Sequence, residues 1–334
     1  MPTEPQPIQK ILLMPKLAGA LAPAPVNVTA EYTPADRLTA WKARWGIRRG
    51  AYGIKPGLYA LGGPSAASPV FATANYKLSF DALRTNLAGT SAWLLVLDTK
   101  GINVWCAAGK GTFGTNELTR SIQATGLERL ISHRAITLPQ LGAPGVSAHK
   151  VKAGTGFSVI YGPVRAQDLP EYLRLGGRAT PEMRKVRFNF FDRILLAPVQ
   201  LVYYAKYLLP AAALLYLAGF RADAALTAGA LFAGTVLVPA LLPWLPARSF
   251  ALKSAAAGLA VAAGLSPFLG LDVYQFAARA LIYGAAASFI GLDFTGASTY
   301  TSLSGVKKEM RAAMPAQALA CLAGLLMLGL RRFL

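Results

Sequence analysis

Cysteine and histidine are nearly absent from this chain of 334 residues, which holds two of each: Cys106 and Cys321, His133 and His149. Two cysteines do not make a disulfide framework, and their scarcity reads as a reducing compartment. They are too few to hold an iron–sulfur cluster on cysteine alone, and two separated histidines do not make a zinc-binding pattern. Acid is scarce as well, with 15 Asp+Glu against 34 Lys+Arg, a net charge of +19. Charged residues of both signs make up only 15% of the chain and hydrophobic residues 54%. That balance is too apolar for an ordinary soluble domain and points to membrane segments. There is no long basic tract and no nucleic-acid-binding motif. The basic residues gather instead at Arg174, Arg178, Arg184, Lys185, Arg187 and Arg193, just ahead of the first long apolar run. That placement favours a membrane surface as their partner.

Composition divides the chain. Residues 1–193 hold 24 Lys+Arg and 11 Asp+Glu, and residues 194–334 hold 10 and 4. Residues 1–60 read as a Pro-rich N-terminal arm and entry segment, 61–180 as a ligand-binding domain, 181–193 as a basic juxtamembrane linker, and 194–334 as a transmembrane domain of about five helices. Within the arm, the apolar stretch Ile11–Ala24 after Lys10 faintly resembles a signal peptide. Pro15 and Lys16 interrupt it and Glu4 precedes it, so an arm is the better reading. The five candidate spans are Leu195–Phe220, Leu226–Leu245, Ser254–Leu271, Val273–Leu292 and Met314–Leu330, each near the length that crosses a hydrocarbon core of roughly 30 Å. Positive charge sets the orientation. Arg184, Lys185, Arg187, Arg193, Arg248, Lys253, Lys307, Lys308 and Arg311 fall on one side, and only Arg221, Arg331 and Arg332 on the other. This predicts a multi-pass protein of the cytoplasmic (inner) membrane, with its N-terminal domain in the cytoplasm. Lys206, Asp272 and Arg279 are few for an ion relay, so the bundle reads as an anchor. The polar segment Phe294–Met310 is unusual for a plain connector. It reads as a cover for the site of the N-terminal domain, as a docking surface for a partner, or as a solvated loop.

In the N-terminal part, short apolar runs are followed by glycine-rich turns and helix-like segments. Examples are Val70–Thr73 before Ala74–Leu83, Ala92–Leu97 before the segment around Cys106, Ala135–Leu138 before Pro139–Gly145, and Phe157–Tyr161 before Gly162–Ala166. Repeated strand, loop and helix predict an α/β domain with a mainly parallel sheet, Rossmann-like or barrel-like. Its ligand belongs at the carboxyl ends of the strands. The segment Asp98–Thr115, DTKGINVWCAAGKGTFGT, carries the chemistry. Asn103 is placed to cap a short helix and Cys106 falls in its first turn. The helix dipole and Lys110, one turn on, favour a thiolate there. Gly109 and Gly111 can end the helix and admit a bulky ligand. Such a thiol serves as a nucleophile or a soft metal ligand, against the bland alternative of a small buried side chain. Cys321, in a Leu/Ala-rich span, reads as packing. Trp105 is either a ligand contact or core filling. Asn75 either bonds a ligand or caps the next helix. Arg165 contacts a ligand or forms an ion pair, and His133 sits at a strand start.

The run NVWCAAGK at Asn103–Lys110 closely resembles the signature of the corrinoid protein of microbial mercury methylation. TANYKLSFDALR at Thr73–Arg84, LPQLGAPGV at Leu138–Val146, YGPVRAQDLPEYL at Tyr161–Leu173 and TGASTYTSLSGVKKEMR at Thr295–Arg311 agree with it. The resemblance runs from about Pro69 to the C-terminus. The N-terminal domain is also similar to the corrinoid iron–sulfur protein of the acetyl-CoA pathway, from which this chain departs by lacking cluster cysteines and adding membrane spans. The resemblance implies a corrinoid-dependent methyltransferase that gives methylmercury from Hg(II). Its cofactor would be cobalamin-type, cycling between methylcob(III)alamin and cob(I)alamin, with Cys106 as the lower axial cobalt ligand. It implies a cofactor cradle of Thr73, Asn75, Asn103, Val104, Trp105, Ala107, Ala108, Gly109, Lys110, Gln140, Gly142, Gly162, Pro163, Val164 and Arg165. A ferredoxin-like [4Fe–4S] protein would supply electrons and could carry Hg(II), and a methylated-folate methyltransferase system would supply the methyl group. The readings that stay open are a corrinoid methyl carrier of one-carbon metabolism, a membrane receptor or transporter with an α/β sensor domain, and a membrane thiol enzyme using Cys106.

Overall fold

The computed structural model describes residues 23–331, Ser298 excepted. Most of the apolar stretch Ile11–Ala24, with Glu4 and Lys10 before it, and Arg332 lie outside the described residues. The chain forms two compact units, one holding the stretch up to Ala30 and Ile54–Gly162, the other Glu31–Gly53 and the chain from Pro163 onward.

The first unit is a six-stranded sheet. In chain order come β1 (Val26–Val28), helix α1 (Pro34–Arg44, part of the second unit), β2 (Gly57–Leu61), β3 (Val70–Ala74), α2 (Lys77–Asn86), β4 (Ala92–Leu97), α3 (Val104–Lys110), α4 (Thr115–Ala124), α5 (Leu127–Leu130), β5 (Ala135–Leu138), α6 (Ala148–Thr155) and β6 (Ser158–Tyr161). The spatial order is β1-β2-β4-β3-β5-β6, and every pairing except β2–β4 is parallel. This is an open, mostly parallel sheet, which selects the Rossmann-like over the barrel-like expectation. It also draws Val26–Val28 and Gly57–Leu61 out of the segment read as an arm. GLYAL is buried at all but its first residue, and pairing with β4 satisfies its backbone.

β3 and β4 are buried at every position. That accounts for their unbroken apolar runs, since a central parallel strand has helices on both faces. Leu58, Ala60, Val70, Ala72, Ala74, Trp93, Leu95 and Leu97 join α3, α4 and α6 in one core. On the opposite face Tyr59 meets Phe80 of α2, ring centroids 5.0 Å apart. From β3 the chain moves to β4 on one side and then returns to β5 on the other. The connections therefore diverge at the carboxyl end of β3, the usual binding crevice of an open α/β sheet.

The second unit continues with α7 (Leu169–Arg174), α8 (Phe190–Ile194), α9 (Ala197–Leu217), α10 (Arg221–Phe232), α11 (Val238–Leu241), α12 (Phe250–Leu265), α13 (Val273–Asp293) and α14 (Leu303–Leu330). Five helical stretches are long and apolar enough to cross a membrane: Phe190–Leu217, Arg221–Leu241, Phe250–Leu269, Val273–Gly296 and Ser304–Leu330. They correspond to the five expected spans with shifted ends. The largest shift is in α14, which starts well before Met314. Ser302 caps it, accepting from Gly305 N at 3.2 Å, so much of the polar segment Phe294–Met310 is helix rather than loop.

Among the basic residues counted for orientation, Arg193 and Lys253 bind backbone carbonyls. Arg193 is buried and donates to the carbonyls of Pro239, Phe188 and Ala240 at 2.8, 3.0 and 3.2 Å. Lys253 Nζ donates to Leu242 O and Leu245 O, both at 2.7 Å. Together they satisfy carbonyls at the C-terminal end of the second span, where positive charge meets the negative pole of the helix. Arg279 pairs with Asp223 through two hydrogen bonds, and Tyr283 donates to the same carboxylate at 3.1 Å. Asp223 lay outside the expected span, and α10 brings it in.

Candidate functional site

The loop after β4 is built as a tight hook. Lys100 and Gly101 both have positive φ, 59° and 71°, at the centre of the turn Thr99–Ile102. Gly101 takes this conformation without strain, whereas Lys100 needs outside support. Asn75, directly after β3, supplies it. Its Oδ1 accepts from Thr99 N at 3.0 Å and from Gly101 N at 2.9 Å, and lies 2.8 Å from the Thr99 hydroxyl. That hydroxyl is also 2.7 Å from Ile102 O, so it donates to one of the two at a time. From the far side, Glu117 of α4 accepts from Asp98 N at 2.9 Å. Lys100 bonds the Asp98 carboxylate and holds its pKa below the ordinary value.

The hook delivers the chain to α3. Asn103 caps it, its side chain accepting from Cys106 N at 2.9 Å, and Gly111 ends it at φ 79°. Val104, Ala107 and Ala108 turn into the core, which leaves Trp105, Cys106, Gly109 and Lys110 exposed. The buried-filler alternative for Cys106 is thereby excluded, and Trp105 is 41% exposed rather than core. The helix lies close against the loop after β5. A Cβ on Gly145 would stand 2.2 Å from Phe113 O and 3.1 Å from Ala108 Cα, and one on Gly142 would stand 2.5 Å from the Phe113 ring. Thr115 clamps the same approach, its N donating to Gly145 O at 3.1 Å and its hydroxyl accepting from Ser147 N at 2.8 Å.

Of the residues expected in the cradle, those up to Gly162 lie in the first unit. Asn75 sits after β3, the α3 residues after β4, Gln140 and Gly142 after β5, and Gly162 after β6, its N donating to Leu138 O at 2.8 Å. Thr73 is buried within β3 opposite Val96. Asn75 does not cap α2, whose cap is Tyr76; its side-chain oxygen positions the hook. Pro163, Val164 and Arg165 group with the second unit, where Val164 N bonds Met183 O and Arg165 pairs with Asp192. Arg165 thus takes the ion-pair alternative. His133 stands at the start of β5, its Nε2 3.0 Å from Ser68 O. Cys321 lies within α14 with Sγ 3.9 Å from Ile282 O. Thr99 and Glu117 carry no sequence signal of their own beyond the turn pair Lys100–Gly101, and Gly145 only its place in the glycine-rich turn Pro139–Gly145, because each partner is distant along the chain.

Residues 49–173 match the family model described as CdhD, CO dehydrogenase/acetyl-CoA synthase delta subunit. The chain is 32% identical over 126 residues to the acetyl-CoA decarbonylase/synthase complex subunit gamma of Methanopyrus kandleri, which is 37% of this chain and 27% of that protein. It is 33% identical over 113 residues to the subunit of the same name from Archaeoglobus fulgidus, 33% of this chain and 24% of that one. The chain spans about a quarter of the length of these relatives. The α/β unit that builds the Cys106 site is therefore related to the CdhD family of CO dehydrogenase/acetyl-CoA synthase subunits, and the five long apolar helices lie beyond the matched residues.

Proposed function

We propose that this chain is a membrane-anchored, corrinoid-dependent methyltransferase with Cys106 as the axial ligand to cobalt and Hg(II) as the methyl acceptor. The observation that carries the reading is an exposed thiol on a capped, rigidly held helix at the divergence point of an α/β sheet. Among the described residues no three His, Cys, Asp or Glu side chains converge as metal ligands. A single thiol suits a metal that arrives with its equatorial donors in a macrocycle. A corrinoid supplies such a cobalt centre, which carries a methyl group and changes oxidation state.

Cys106 would donate electron density to the metal it binds. Hg(II) is an electrophile and accepts methyl with its bonding electrons, a polarity that a donating thiolate favours. Trp105 would cover the edge of a large planar ligand, Gly109 would let it approach the helix backbone, and Lys110 would bond its peripheral amides or phosphate. Asn75, Thr99 and Glu117 would keep Cys106 at a fixed height through the hook. Electrons would come from a ferredoxin-like [4Fe–4S] partner and methyl from a methylated-folate methyltransferase system, with the N-terminal domain in the cytoplasm.

The relatedness to acetyl-CoA decarbonylase/synthase subunits favours a second reading, a corrinoid methyl carrier of one-carbon metabolism for which mercury is incidental. The test is ultraviolet–visible and electron paramagnetic resonance spectroscopy of purified protein loaded with corrinoid, alongside mercury methylation by membrane fractions with and without the ferredoxin partner. Cys106→Ala is expected to change the axial-ligand spectrum and abolish methylation while still inserting in the membrane. Full retained activity would overturn the ligand assignment, and methyl transfer that never reaches Hg(II) would select the second reading.

A further inference from the structure

The second unit contains a cavity of about 880 Å³ between α12, α13 and α14. Its size falls toward the upper end of the roughly 300–1,000 Å³ typical of ligand sites. It exists because small residues stand where leucine would close the gap. Ala312, Ala316 and Ala320 recur at helical spacing along one face of α14, opposite Gly284 of α13 and Ala255 of α12. The walls are mostly apolar, interrupted by Ser288 and by Gln317, whose Nε2 donates to Ser288 Oγ at 2.8 Å, and the mouth is charged. Arg248, Ser249, Lys308 and Glu309 stand together at one end.

The mouth has a definite charge preference. Glu309 is already engaged at the start of α12, its Oε1 accepting from the Ser249 hydroxyl and from Ala251 N, both at 2.7 Å. Arg248 and Lys308 are exposed, and neither has an ion pair or hydrogen bond among the described residues. Two cations and one carboxylate held by neutral donors thus stand at the mouth of the shaft, a net charge of +1. The shaft has a telling depth: from Lys308 to Ala320 the helix rises about 18 Å. That is a little over half of the roughly 30 Å hydrocarbon core, the reach of the acyl chains of one leaflet.

We infer that this cavity is a binding site for an anionic phospholipid, with its headgroup on Arg248 and Lys308 and acyl chain against Ala312, Ala316 and Ala320. Free Arg and Lys at a membrane surface each favour an anionic lipid by about fivefold, or roughly 30-fold for the pair before the offset from the Glu309 carboxylate beside them. The site is separate from Cys106 and stands whether or not the proposed chemistry is correct.

The test is native mass spectrometry of the full chain in detergent, titrated with phosphatidylglycerol or phosphatidylcholine of the same acyl composition. Wild type is expected to retain phosphatidylglycerol at least tenfold better. The double variant R248Q/K308Q is expected to bring the two lipids within about twofold. Ala316→Leu, which fills the shaft and leaves the mouth intact, is expected to weaken retention of both. Thermal melts of each variant in the same detergent confirm folding, and Ala316→Val replaces a leucine variant that fails that control. Equal retention of the two lipids by wild type would overturn the proposal, as would a preference that survives R248Q/K308Q. Undiminished binding to both cavity-filling variants, or displacement of the phospholipid by a neutral isoprenoid quinone, would also overturn it.

Discussion

Removing the Asn75 side chain tests how the Cys106 helix is held. In Asn75→Ala the oxygen that accepts from Thr99 N and Gly101 N is lost. Thr99 is fully buried, so its N–H becomes an unsatisfied buried donor, at a cost of about 1–3 kcal/mol. Gly101 is half-buried and water can replace part of its bond, so its loss is about 0.5–1.5 kcal/mol. The Thr99 hydroxyl keeps Ile102 O as an acceptor and adds nothing further. The sum is about 1.5–4.5 kcal/mol, a large share of the ~5–15 kcal/mol that holds a typical domain. Hydrogen-exchange mass spectrometry on the full chain in detergent is the assay, read on peptides covering Asp98–Thr112. Local opening by about 1.5–4.5 kcal/mol accelerates the Thr99 and Gly101 amides about 10- to 2,000-fold. Peptides from α13, in the other unit, act as the control and stay unchanged. Acceleration below threefold would refute the reasoning, because the three contacts to Oδ1 would then be incidental to the hook.

Four further predictions concern two glycines, Arg193 and Asp98. Gly145→Ala places a Cβ 2.2 Å from Phe113 O and is expected to lower the melting temperature and displace α3. Gly109→Ala meets nothing within 4 Å and is expected to stabilise the helix by about 0.5–1 kcal/mol while weakening corrinoid retention, so a combined melt and retention assay separates packing from ligand approach. Arg193→Met leaves the Pro239 and Phe188 carbonyls without their donor and is expected to destabilise by about 2–4 kcal/mol, whereas Arg248→Gln is expected to be neutral; equal melts for the two would contradict the capping role. The Asp98 carboxyl is held below its ordinary value of 3.8, chiefly by the Lys100 hydrogen bond. Its contribution is present in full above that value and disappears as pH falls through the depressed one. Exchange of the Asp98–Ile102 amides, corrected for intrinsic rates, should therefore be flat from pH 7 to pH 5 and rise only in more acidic solution.

The parts of this protein that could be read from sequence are those governed by neighbours along the chain. The apolar runs of β3 and β4, the five long apolar helices, and the pairing of Asn103 with Cys106 across one helical turn all depend on periods of a few residues. The parts that could not be read join distant segments. Nothing local ties Asn75 to Thr99, Glu117 to Asp98, or Gly145 to Phe113, because each contact exists only once the strands have taken the order β4-β3-β5. The same holds for charge. A count of basic residues cannot separate Arg193 and Lys253, which cap the end of a helix, from Arg248 and Lys308, which remain available at the mouth of a cavity. Sequence alone determined that an α/β unit with one promising thiol precedes a membrane bundle. Only the tertiary structure decided that this thiol is exposed and fixed from three sides, because burial and hydrogen bonding are properties of how the segments meet.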